Sequence, residues 1–156
     1  MCDKNSIQLD INFEEIRGIA EQSGKINEYI DNTINISKSL KDISENDNTI
    51  KNINLDVYTA PNTKDAHQII DTITIALASV GGVTGLVKLI SMIIDACRTK
   101  IQTIYEIEVE GVGKLKVAGP KVTEEQLELL KSMLIDLKDK GNNKKRIKMK
   151  AKKINQ

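Results

Sequence analysis

Two short segments of the chain alternate strictly between apolar and polar residues. Over residues 7–11, Ile and Leu alternate with Gln and Asp. Over residues 53–58, Ile, Leu and Val alternate with Asn, Asp and Tyr. A period of two places every second side chain on the same face of a strand. The pattern therefore predicts a β-strand with one buried face at each place.

Between these two strands the apolar residues follow a helical spacing. Asn12 with Glu15 is a candidate N-terminal cap, so a helix is predicted over residues 13–22. Gly24 interrupts this pattern. Aliphatic residues then recur at intervals of three to four positions, which predicts a second, amphipathic helix over residues 25–44.

A β-hairpin is predicted over residues 104–118, because apolar and charged residues alternate on both sides of a turn at residues 111–113. We place Val112 at the centre of that turn. Opposite charges then face each other across the polar side of the hairpin, which supports the register. The predicted pairs are Glu110 with Lys114 and Glu108 with Lys116.

The longest apolar block runs from His67 to Cys97, and residues 72–87 within it carry no charged side chain. The pattern predicts a helical hairpin over residues 64–99, with two arms joined at Gly81-Gly82. Such a block must be hidden in the protein's own core, against a partner or in a lipid bilayer. Neither arm alone has the roughly 20 apolar residues that a membrane-spanning helix needs. If one stripe stays exposed in the isolated domain, it would be the partner site; it comprises Ile73, Leu77, Leu86 and Ile90.

These elements together predict an α+β fold with a single domain over residues 1–139. A capping box at Thr123 and Gln126 opens the last helix, which is predicted over residues 123–138. The simplest assembly is a small mixed sheet of three to four strands, packed against the central apolar helical hairpin and the C-terminal helix. Residues 140–156 are predicted to be a flexible basic tail.

The total charge of +1 hides two regions of opposite sign. Residues 1–139 hold 15 basic and 22 acidic residues, whereas residues 140–156 hold 8 basic residues and no acidic one. Such a tail is a solvated arm unless an anionic surface orders it. That surface can be nucleic acid, bound without sequence specificity, anionic lipid or an acidic partner. The residues assigned to this anionic-surface site are Lys144, Lys145, Arg146, Lys148, Lys150, Lys152 and Lys153.

Residues suited to catalysis or metal binding are few. In the predicted helical hairpin His67 would lie level with Cys97, which is the minimum for a thiol nucleophile, but packing roles explain both residues more simply. One His and two distant Cys cannot form a zinc site. The glycine-rich runs lie where turns are expected and lack the sequence of a phosphate-binding loop. We therefore expect no catalytic, metal-binding or cofactor-binding residue.

The predicted elements follow a recognisable order along the chain. It begins with a leading strand and helix and a second strand that ends near Pro61, and it continues with a glycine-bearing apolar helix pair, a β-hairpin and a last helix. The segments LDVYTAPNTKDAHQIIDTITIALASVGGVTGLVKLISMIIDACRTK and YEIEVEGVGKLKVAGPKVTEEQLELL, within residues 53–137, carry most of this order. It resembles the effector-associated constant component families, small proteins found beside proteases, caspase-like enzymes and NTPases in bacterial conflict systems. Residues 25–52 and the basic tail depart from the family pattern. The resemblance implies an adaptor or regulatory role.

The expected function is therefore that of a non-enzymatic interaction or regulatory component, an adaptor in a bacterial multi-protein conflict or defence system. Its partner would be an effector or regulator encoded nearby, or a second copy of the chain. The alternative is a membrane-associated protein that inserts its apolar hairpin and binds anionic lipid with its tail. The N-terminus lacks the pattern of a signal peptide, and the two cysteines are poorly placed for a disulfide, so a cytoplasmic location is expected.

Overall fold

The computed structural model describes residues 6–46, 50–59, 68–78, 82–97, 103–118, 122–139 and 145–153. These residues form four helices and six strands. In chain order the elements are β1 (Ser6–Asn12), α1 (Glu14–Gln22), α2 (Ile26–Asn46), β2 (Ile50–Thr59), β3 (Gln68–Ala78), α3 (Gly82–Cys97), β4 (Thr103–Val109), β5 (Gly113–Val117), α4 (Glu124–Asp139) and β6 (Lys145–Lys153).

The six strands form one mixed sheet in the order β2-β3-β1-β6-β4-β5. Neighbouring strands run antiparallel except β1 and β6, which run parallel. Among the described strands, β6 is therefore the link between two antiparallel parts, β2-β3-β1 and β4-β5. The α+β class is confirmed, and the predicted three to four strands are corrected to six.

Strand residues alternate between a face that packs on the helices and a face without a helical cover among the described residues. On the helical face, Leu9 of β1 pairs with Ile75 of β3 on one side and Ile147 of β6 on the other, and all three side chains are fully buried. On the other face of β1, Gln8 and Asp10 are half-buried. The apolar face of the sheet forms one continuous core with the buried sides of the helices, which include Leu40, Ile90 and Leu134.

The predicted first arm of the apolar helical hairpin is wrong, because residues 68–78 form strand β3. Ile73, Ile75 and Leu77 are fully buried and alternate with half-buried residues, which is the period of a strand. The β-branched Thr and Ile residues of this stretch also fit a pleated surface better than a helix. The second arm is confirmed as α3, whereas residues 64–67, with His67, lie outside the described residues.

The predicted flexible basic tail is also wrong for residues 145–153, which form the interior strand β6. Every second residue there is apolar, and Ile147, Met149 and Ala151 are almost completely buried on the helical face. Ladders on both sides, to β1 and β4, satisfy the backbone. The lysines do not prevent strand formation, because the period of two places most of them on the opposite face.

The β4–β5 hairpin is present, but its predicted register is shifted. Val109 pairs with Gly113, and the N–H of Val112 donates to the carbonyl oxygen of Val109 at 2.9 Å. Gly111 lies at the centre of the turn with a φ of 79°, a conformation that glycine adopts without steric cost. The facing charged pairs are therefore Glu106 with Lys116 and Glu108 with Lys114 instead of the predicted ones.

The remaining elements agree with the sequence pattern within a few residues, namely β1, α1, α2, β2 and α4. The predicted capping box of α4 is present. The N–H of Thr123 donates to Oε1 of Gln126 at 2.9 Å, and the N–H of Gln126 donates to Oγ1 of Thr123 at 3.1 Å. At α1, Oδ1 of Asn12 accepts a hydrogen bond from the N–H of Glu14 at 2.8 Å, so Asn12 satisfies one of the free helix N–H groups.

Candidate interaction surfaces

The apolar stripe predicted as a partner site lies inside the protein. Ile73, Leu77 and Ile90 are fully buried, and Leu86 is 4 % exposed. The first two lie on β3 and the other two on α3, and all four belong to the same hydrophobic core. The partner site was predicted on the condition that this stripe stays exposed in the isolated domain, and that condition is not met, because its side chains belong to the core.

The basic residues assigned to an anionic-surface site do not all lie on the same face of strand β6. Arg146, Lys148, Lys150 and Lys152 lie on the face of the sheet opposite the helices, which we call the open face. Lys145 is half-buried, and its position in the alternation of β6 is that of Ile147, on the helical face. Lys153 is the last residue of β6, and Lys144 lies outside the described residues. The six of these residues that the structure describes therefore belong to a strand and do not form a flexible cationic arm.

The open face carries its charges in rows that cross the sheet. Acidic residues of β1 and β4 lie on either side of the cations of β6, and further cations follow on β5. A shallow groove of about 740 Å³ runs over this surface. The register gives two rows, Asp10–Lys148–Glu108–Lys114 and Asn12–Lys150–Glu106–Lys116.

Several cations of the open face form ion pairs with acidic side chains of the same domain. Nζ of Lys152 lies 3.2 Å from Oε1 of Glu106, and Nζ of Lys116 lies 3.7 Å from the same oxygen. The hydrogen bond from Lys152 lowers the pKa of Glu106 below its ordinary value. Nε of Arg146 lies 3.5 Å from Oδ2 of Asp10. The open face is therefore a mixed-charge surface, whose ion pairs are exposed to solvent and contribute little to stability.

The Cys97 thiol is fully buried at the end of α3, and burial raises its pKa from 9.0 to about 12. Its backbone carbonyl oxygen accepts a hydrogen bond from the Tyr105 hydroxyl at 2.7 Å, which ties α3 to β4. A thiol nucleophile reacts as the thiolate, which this environment disfavours. The predicted helical hairpin would place His67 level with Cys97, but residues 68–78 form strand β3, and His67 lies outside the described residues.

Two apolar side chains of the edge strand β2 are exposed to solvent. Leu55 is 43 % exposed and Val57 is 41 % exposed, although Ile73, which pairs with Leu55 on β3, is fully buried. Irregularities interrupt the β2–β3 register near both ends of β2, and the register is continuous over residues 52–56. Every second residue of an edge strand directs its N–H and C=O groups away from the sheet. Among the described strands, none pairs with this side of β2.

A second groove, of about 660 Å³, lies between α2 and β2, and we call it the edge groove. Its apolar lining comes from β2, and its cations come from both elements. Its described lining residues include no Asp or Glu. The apolar residues are Ile50, Ile53 and Leu55, and the cations are Lys38, Lys41 and Lys51.

The core holds α2 in place as one wall of the edge groove. The Tyr29 hydroxyl near its start donates a hydrogen bond to the backbone carbonyl oxygen of Ile70 on β3. Ile36 and Leu40 are buried further along the helix. Lys38 and Lys41 lie on the exposed side, where they flank β2. These contacts anchor α2 to the core beside β2.

No helix in the described part of the chain is long and apolar enough to cross a membrane. Over the same residues, no group of three or more His, Cys, Asp or Glu side chains is placed to hold a metal ion. Comparison with protein-family models, curated proteins and solved structures gives no match.

Proposed function

We propose that this chain is a non-enzymatic interaction component, an adaptor that binds a partner protein at strand β2. The observation that carries the proposal is the exposed edge with Leu55 and Val57 beside a groove of about 660 Å³. Scattered apolar residues are normal on protein surfaces. Here they lie on a long edge strand next to a groove, which is the geometry used when a partner adds a strand to a sheet.

Strand addition would supply both affinity and register. The outward N–H and C=O groups of β2 would form hydrogen bonds with the partner backbone, and side chains at alternate positions would enter the edge groove. The uninterrupted stretch of residues 52–56 is the part of β2 best suited to such pairing. The partner would also cover Leu55, so apolar burial would add to the backbone hydrogen bonds.

The wider setting of this proposal comes from the sequence resemblance alone. It implies that the partner is an effector or regulator encoded beside this gene, in a bacterial conflict or defence system. The alternative, a membrane-associated protein that inserts its apolar hairpin and binds anionic lipid with its tail, has less support, because the first arm of that hairpin is strand β3. Arg146 and Lys152 form ion pairs with acidic residues of the domain, which reduces their availability to headgroups.

The proposal is tested by co-expressing the tagged chain with the proteins encoded beside its gene and measuring the amount of each that co-purifies. We expect the double substitution Leu55→Lys and Val57→Lys to reduce capture of the partner by about tenfold, because charged side chains on an edge oppose strand addition. Both side chains are already two-fifths exposed, so folding is expected to survive.

A matched control places the same two substitutions on another surface. Leu129 and Ile135 of α4 are 47 % and 42 % exposed, and Leu129→Lys with Ile135→Lys is expected to leave capture unchanged. Circular dichroism of each variant would show that it is folded. Equal capture by the β2 variant and the parent chain, or capture of none of the encoded neighbours, would contradict the proposal.

A further inference from the structure

We infer that the edge groove selects an acidic extended segment, which pairs with β2 as a seventh strand and directs carboxylate side chains toward Lys38 and Lys41. This inference rests on the proposed function and specifies the chemistry of the partner. It follows from three features of the described residues: the apolar spacing along β2, the charge of the groove, and the polar residues on the other face of the strand.

The apolar spacing defines which side chains of the partner face the groove. Ile53 and Leu55 pair with Ile75 and Ile73 of β3, so they lie on the helical face of the sheet. A strand added beside β2 would place every second side chain on this same face. At those positions an apolar side chain would cover Leu55, which is now 43 % exposed.

The charge of the groove defines the polar groups of the partner. Lys38 and Lys41 are exposed on α2, and the described lining of the edge groove contains no carboxylate. Carboxylates on the groove-facing side of a bound strand would be attracted to these cations, whereas lysines at the same positions would be repelled. Complementary charge at the rim of an interface contributes mainly to specificity and to the rate of association.

The opposite face of β2 has a different character, which makes the selection directional. Asn54 and Asp56 lie on the open face, in register with Thr74 and Thr72 of β3. The first residue is neutral and the second is acidic. The carboxylates of the partner are therefore favoured on its groove-facing side, and neutral side chains on its other side.

A second copy of this chain is a poorer occupant of the same site. A symmetric dimer through β2 would place the same patch of both copies together. Lys38 and Lys41 of one copy would then face their equivalents from the other copy, across a described lining that holds no carboxylate. Like charges at an interface disfavour the pairing.

The inference is tested by the binding of synthetic peptides to the full chain, measured by fluorescence anisotropy. Each peptide has 10 residues, the length of β2. In the acidic peptide Val and Glu alternate on one face and Thr occupies the other; the basic peptide has Lys in place of Glu. We expect the acidic peptide to bind about tenfold more tightly, in a salt-dependent manner.

A charge reversal in the protein makes the test specific to the edge groove. The double substitution Lys38→Glu and Lys41→Glu is expected to reverse the preference, so that the basic peptide binds more tightly. A matched control, Lys88→Glu with Lys114→Glu, changes the net charge equally at exposed positions on α3 and β5. It is expected to keep the preference for the acidic peptide.

Two results would overturn the inference. One is equal binding of both peptides, or of neither, to the parent chain. The other is a dimer of the parent chain, measured by light scattering, that Leu55→Lys with Val57→Lys converts to a monomer. If the peptides bind equally but these same β2 substitutions still reduce capture of the encoded partner, the inference fails and the proposed function stands. A failure of the inference is therefore distinguishable from a failure of the proposed function.

Discussion

Replacing the buried side chains of β6 by serine, with Ile147→Ser, Met149→Ser and Ala151→Ser together, is expected to abolish cooperative thermal unfolding. Each large apolar side chain loses about 1.5–3 kcal/mol of burial energy, and each buried hydroxyl without a partner costs about 1–3 kcal/mol more. The sum is comparable to the total stability of an ordinary domain, about 5–15 kcal/mol. Because β6 joins the two antiparallel parts of the sheet, the loss is not confined to one edge.

The matched control keeps the apolar residues and removes the cations of the same strand. Arg146→Thr, Lys148→Thr, Lys150→Thr and Lys152→Thr together are expected to retain a cooperative transition, since surface ion pairs contribute only about 0.2–1 kcal/mol each and Thr favours strands. Differential scanning calorimetry measures both variants. A flexible tail would tolerate both sets of substitutions, so a normal transition in the serine variant would contradict the assignment of β6.

The second large effect is expected at Ile90, which is fully buried on α3 and belongs to the core that the sheet and the helices share. Ile90→Ala is expected to lower the free energy of unfolding by about 2–5 kcal/mol, because it removes buried methyl groups and leaves a cavity. Denaturant titration of the isolated chain measures this loss. The prediction distinguishes a core residue from a residue that only contacts a partner.

Met92 offers a control two residues away on the same helix. It is 41 % exposed, so Met92→Ala is expected to change stability by less than about 1 kcal/mol. Similar effects of the two substitutions would mean that α3 is not oriented as described. A stable Ile90→Ala variant that failed only in partner capture would restore the interpretation of Ile90 as part of a docking stripe.

The elements with local signals could be predicted from the sequence. The capping box at Thr123 and Gln126 determines where α4 begins, and both of its hydrogen bonds lie within a few residues of the chain. The alternation over residues 7–11 likewise defined β1. Capping and strict periodicity depend on residues that are neighbours in the sequence, so the local sequence is sufficient to predict these elements.

Strand β3 was missed because its apolar residues fit two periods. Ile69, Ile73 and Leu77 recur every four positions, as in a helix, whereas Ile73, Ile75 and Leu77 recur every second position, as in a strand. The β-branched residues from Thr72 to Ile75 were the signal that favoured the strand. Pairing with β1 and β2 decides between the two periods, and that pairing is not visible in the local sequence.

Strand β6 was missed for a different reason, because composition outweighed periodicity. Eight basic residues among the last seventeen indicate a solvated segment. The alternation of Ile147, Met149 and Ala151 is a weaker signal, since Ala is common outside strands. Acidic residues on β1 and β4, including Asp10 and Glu106, accept the charges of this strand, and their proximity depends on the strand order.

The candidate site could not be predicted for the same physical reason. Leu55 and Val57 alternate with polar residues just as the buried residues of β1 do, and nothing in that pattern distinguishes an edge strand from an interior one. Their exposure follows from the position of β2 at the end of the sheet. The cations of α2 lie beside them only after the sheet and helix have packed.

The central claim is that the basic C-terminal segment forms an interior strand of the sheet, β6, and that β2 is an accessible edge strand. Amide hydrogen exchange of the full chain, followed by NMR, tests this claim most directly. We expect the amides of β6 to exchange only through global unfolding, and the outward amides of β2 to exchange much faster until the acidic peptide is added. Exchange of the β6 amides at the rate of an unstructured chain would contradict the claim.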